Sequence, residues 1–136
     1  MRAPRELLPL LGQLGDVLGG LIQAEAEKVE LLTSSQHALL DEVLSREQAL
    51  LLSLRGLERQ RSDLLARAHL ENKTFRELLA QEDDEGRRLL SPAFSSLEAL
   101  TEQLRQTKEN SDRLVRVRLH EIETLVSDAP HYDRYG

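Results

Sequence analysis

Leucines recur along this chain at alternating spacings of three and four residues. Leu7, Leu11, Leu14, Leu18 and Leu21 place one apolar stripe on a helix running from about residue 5 to 32. The cluster "TSSQ", Thr33 to Gln36, supplies capping residues to end it. A second helix is predicted from about 36 to 68, where Leu40, Val43, Leu50, Leu54, Leu57 and Leu64 fall on a heptad seam interrupted by Glu47 and Arg61. That seam is apolar enough for a packed helix and too broken for a long dry two-stranded coiled coil. Thr74 and Glu77 have capping-box spacing and predict a short helix starting at Thr74. The acids before Gly86 in "QEDDEGRRLLSP" read as a solvated connection or an acidic first turn, without the alternating oxygen ligands of a calcium loop. Pro92 suits a first helical position, so the last helix is predicted from about 91 to 127, a length of about 55 Å.

These elements give an all-α fold: an elongated antiparallel helical bundle made of a helical hairpin and a long C-terminal helix. The bundle domain covers residues 1–128. Residues 129–136 form an extended C-terminal tail, because Pro130 cannot donate a helical hydrogen bond and biases Ala129 away from helical geometry.

The end of the last helix carries more apolar surface than one buried face requires. At 100° per residue, Val115, Leu119, Ile122 and Val126 form one stripe, with Leu114 and Leu125 to one side and Val117 further round. The arc is roughly 200°, against ~100° for one-sided burial. Either this segment is wedged between two helices of its own bundle, or it gives one face to the bundle and one to a partner helix.

Composition narrows the functional classes. Four aromatic residues in 136 disfavour a sandwich or barrel, and a net charge of −6 argues against binding phosphate backbones. There is no cysteine, so no disulfide framework and no thiolate chemistry. Leu7 to Ile22 is apolar but contains Gln13 and Asp16 and falls short of the ~20 residues a spanning helix needs, so membrane insertion is not expected. Gly15 and Gly19, four apart, read as a place where a neighbouring helix packs closely. His37, His69, His120 and His131 are scattered, and "HEIE" lacks the second histidine of a zinc helix. No phosphate-binding glycine loop or nucleophile elbow occurs. Arg113, Arg116 and Arg118 are offset by Asp112, Glu121 and Glu123, without interleaved aromatics. Nothing here suggests an enzyme, a cofactor or a metal.

Both tyrosines, Tyr132 and Tyr135, lie in the last five positions. A tyrosine there either docks a partner or folds back as a lock on the bundle end.

The order of "LIQAEAEKVELL", "LSREQALLLSLRGLERQR" and "ENSDRLVRVRLHEIETL", followed by the tail "HYDRYG", resembles the FlgN family of bacterial flagellar export chaperones over nearly the whole chain. The Gly-rich first helix departs from that pattern. The resemblance implies a cytoplasmic chaperone for the hook-associated proteins FlgK and FlgL. It would bind cargo through the C-terminal helix, here Leu114, Val115, Leu119, Ile122, Leu125 and Val126, with Asn110 matching a family position ahead of them. It also implies docking to the export gate protein FlhA through the tail tyrosine, which by position is Tyr132. The alternative is a structural coiled-coil or scaffold protein that self-associates through its leucine seams.

Overall fold

A computed structural model of the chain describes residues 1–127; the tail and both tyrosines lie outside the described residues. Helices α1 (Leu7–Thr33), α2 (Leu40–Arg67), α3 (Phe75–Ala80) and α4 (Asp84–Ser127) follow in order, with a 3-10 turn at His37–Leu39, and no strand occurs among the described residues. The fold is all-α, as its periodicity predicts.

α1 is the central helix. It packs on both α2 and α4, while α2 and α4 make no direct backbone approach among the described residues. Gly20 lies against Leu50, and Lys28 reaches Glu47, so α2 runs antiparallel to α1. Ala3 meets Glu82, Gly15 meets Leu97 and Leu100, and Arg118 meets Leu32, so α4 returns alongside α1 in the same direction. This placement accounts for α1's composition. A helix covered on two sides needs an apolar surface on both, and Leu7, Leu11, Leu14, Leu18 and Leu21 are all buried. By length and composition α1 could also cross a membrane, but its position between two helices already explains its hydropathy.

α1 and α2 end in the same way. Ser35 and His69 adopt left-handed backbone, and the amides of Gln36 and Leu70 bond back to the carbonyls of Leu31 and Leu65, five residues earlier. On α2 the positions of the predicted seam, Glu47 and Arg61 included, are buried or half-buried. Thr74 caps α3, accepting from the Glu77 amide at 3.1 Å. Phe75 on α3 stacks on Phe94 of α4, ring centroids 4.3 Å apart, and locks the short helix to the long one.

Two expectations need correction. α4 begins at Asp84, well before Ser91, and Pro92 lies inside it. The cause is Asp83, whose Oδ1 accepts from the Gly86 amide at 2.7 Å and caps the helix. The Gly86 amide and the Met1 ammonium hold the Asp83 carboxyl below its usual range. The acidic run does supply the first turn of α4, through Asp84 and Glu85, but its first member lies elsewhere. Glu82 is buried, and its two carboxylate oxygens accept from the Arg2 and Ala3 amides at 2.7 and 2.6 Å, tying the N-terminal segment to α4. Second, Gly15 and Gly19 do not mark the close helix approach. A Cβ at Gly15 would make ordinary contacts and one at Gly19 none, whereas one at Gly20 would lie 3.2 Å from Leu50.

Candidate partner-binding surface

The apolar stripe at the end of α4 continues the stripe that packs the core. Leu97, Leu100, Leu104, Thr107, Ser111, Val115, Arg118 and Ile122 follow one another at spacings of three or four and share one side of the helix. Leu97 is buried and Leu100 and Leu104 are half-buried against α1. Beyond Arg118 the seam loses its partner, because α1 stops at Thr33 while α4 runs on. At 44 residues against 27, α4 is about 25 Å longer than α1.

Arg118 marks where the bundle ends. Its guanidinium donates to the Leu32 carbonyl at 3.3 Å and pairs with Glu121. A cation there complements the negative end of the α1 dipole and satisfies one of its free carbonyls. The remaining turns, residues 119–127, overhang by about 13 Å.

Leu119 is 52% exposed, Ile122 55% and Leu125 72%, with Val115 and Val117 also exposed. Val115, Leu119, Ile122 and Leu125 form one wall of a groove of about 330 Å³, and Leu32 at the end of α1 with Ser35 and His37 from the turn after it form the other. Of the six residues read from sequence as a partner face, these four come together. Leu114 and Val126 are half-buried instead. The segment is therefore not wedged between two helices of its own bundle. Val117 faces away from the groove and belongs to no cluster. Tyr132 lies outside the described residues.

Sequence reasoning missed the part played by two features. The turn after α1 lines the groove through Ser35 and His37, which no periodicity in α4 could have shown. Glu47, read as a break in the α2 seam, lies 3.2 Å from Lys28, which also contacts Glu25 at 3.0 Å. Burial opposes ionisation of Glu25, yet contacts with Glu47 and Lys28 hold its carboxyl below the usual value. Burial and the neighbouring Glu25 charge push the Glu47 carboxyl up. Among the described residues no group of three or more His, Cys, Asp or Glu is placed to hold a metal ion.

Beyond the bundle end the helical seam thus leaves apolar side chains open. A family model described as FlgN protein matches residues 1–127, and thus all of the described chain. The chain belongs to the FlgN family. That family is one of flagellar export chaperones. Neither the search of curated proteins nor that of solved structures finds a match.

Proposed function

We propose that this FlgN-family chain is an export chaperone that holds a hook-associated protein of the FlgK or FlgL type on the overhanging seam of α4. The observation carrying this reading is the exposure of Leu119, Ile122 and Leu125 as a continuation of the core-packing stripe. An amphipathic helix of the cargo would extend the seam that α1 leaves unfilled, using anchors at three- and four-residue spacing. Delivery then runs through the export gate protein FlhA, contacted by Tyr132 in the tail.

The test is the double variant Leu119→Asp/Ile122→Asp. Burying the open half of each side chain contributes about 0.8–1.5 kcal/mol, half of full burial. Removing both anchors and placing two charges there weakens the complex by a factor of 30 or more, about 2 kcal/mol or above. Calorimetric titration with purified FlgK or FlgL reads this, and circular dichroism should stay essentially helical. Unchanged affinity would remove the overhang as the cargo site.

A second reading draws on the exposed leucines of α2, Leu44, Leu51 and Leu52, which offer another apolar face. A scaffold self-associating there would elute as a stable homo-oligomer in light scattering without cargo. A chaperone forms a defined complex when cargo is added.

A further inference from the structure

The buried apolar residues form two clusters of unequal size. The larger has eleven buried members, drawn from all four helices and the segments beside them, and Leu100 and Leu104 of α4 pack against it. The smaller consists of Ala24, Leu31 and Val43, all from α1 and α2. Among the described residues, α4 contributes nothing to it.

Where α4 leaves the large cluster, its contact with α1 turns polar. The stretch "RQTKENSD", 105–112, has no apolar side chain, and Ser111 is the one fully buried residue of α4 beyond Leu97 among those described. Ser111 turns its hydroxyl toward Glu25 without reaching hydrogen-bond geometry. Glu25 is 3% exposed, and its Oε2 finds no hydrogen-bond partner in the protein. Its lowered pKa means that this carboxylate is buried in the charged form, with Lys28 shared between it and Glu47. A buried charged oxygen left without a hydrogen bond is costly, and hydration relieves that cost. Past this point α4 is held by half-buried Leu114 and Val126 and by the Arg118 bond to Leu32.

We infer that α4 beyond about residue 105 is an arm that lifts from α1 as a unit, hinged at the polar stretch 105–112 and released because Glu25 regains water when Ser111 moves away. The α1–α2 hairpin stays closed, since Lys28–Glu47 and Arg46–Glu27 link those two helices and not α4. A lifted arm bares the α1 side of the seam as well as its own stripe, so a partner helix gains a longer trough than the closed groove offers. That use of the arm rests on the function proposed above; the opening itself does not.

Hydrogen exchange read by mass spectrometry on the full chain, without cargo, tests it. Amides of 107–127 should exchange at least 100-fold faster than those of 90–104, with a step near 105–112. Glu25→Leu, which replaces the buried charge with an apolar contact and leaves Lys28 paired with Glu47, should slow exchange of 107–127 about tenfold and leave 90–104 unchanged. If that variant does not fold, Glu25→Gln, which removes the buried charge at nearly unchanged shape, carries the same expectation. A smooth ramp toward Ser127 would mean end fraying and overturn the hinge. So would equal slowing of both halves, or no slowing of the arm. Because cargo is absent, this result stands apart from the effect of Leu119→Asp/Ile122→Asp on the complex.

Discussion

Gly86 is a glycine inside a helix, where alanine ordinarily stabilises by about 1 kcal/mol. Here the sign should reverse. A Cβ at this position would lie 2.2 Å from Glu82 Oε2, 2.9 Å from its Cδ and 3.1 Å from its Cβ. Glu82 cannot yield cheaply, because it is buried and its two oxygens hold the Arg2 and Ala3 amides. Each hydrogen bond to a charged group contributes about 1.5–3 kcal/mol. Displacing Glu82 loses both, so after the gain in helix propensity Gly86→Ala should cost about 2–5 kcal/mol. For a chain of this size that lowers Tm by roughly 6–25 °C. Thermal melts by circular dichroism measure it. The mechanism predicts a specific coupling: in a Glu82→Ala background, where the carboxylate is gone and only the Cβ at 3.1 Å remains, Gly86→Ala should lose most of its cost. A stabilised Gly86→Ala single variant would refute the buried role of Glu82.

Two further outcomes follow from the same geometry and reading. The folded-state pKa of Glu47 lies above its ordinary 4.5, so its contribution is fully present below that value and is lost as pH rises through the raised one. Glu47→Gln, which cannot ionise, should therefore gain stability relative to the natural chain as pH rises above 4.5, in paired Tm series; a difference that is flat or falls with pH would contradict the assignment. Tyr132→Ala should leave Tm and cargo affinity unchanged while weakening calorimetric docking of the loaded complex to FlhA by tenfold or more; a Tm several degrees lower would identify a structural lock instead.

The architecture was legible because leucine spacing is a direct record of which helix face is covered. The α2 seam shows this well: every position read as seam is removed from full exposure, Glu47 and Arg61 included. The start of α4 was not legible. Gly86 and Pro92 both read as breaks, and the capping role of Asp83 is hidden in a run of four acids whose members do different jobs. Glu82 is buried, Asp83 caps, and Asp84 and Glu85 sit in the first turn of α4, where acids favour the positive helix end. Only the approach of the N-terminal segment separates them, and that contact spans about eighty positions in sequence. The excess apolar arc at the end of α4 was visible in sequence, but its meaning depends on where α1 stops. Periodicity gives each helix its face and says nothing about relative length in space.

The central claim is that cargo occupies the overhang of α4 and not another apolar face. Leu125 and Leu52 are almost equally exposed, 72% and 66%, on different helices. A photo-crosslinking amino acid placed at each in turn, in the presence of a purified hook-associated protein, compares the two surfaces under the same conditions. The account predicts a crosslinked complex from position 125 and none from position 52. Capture from position 52 with none from 125 would contradict it.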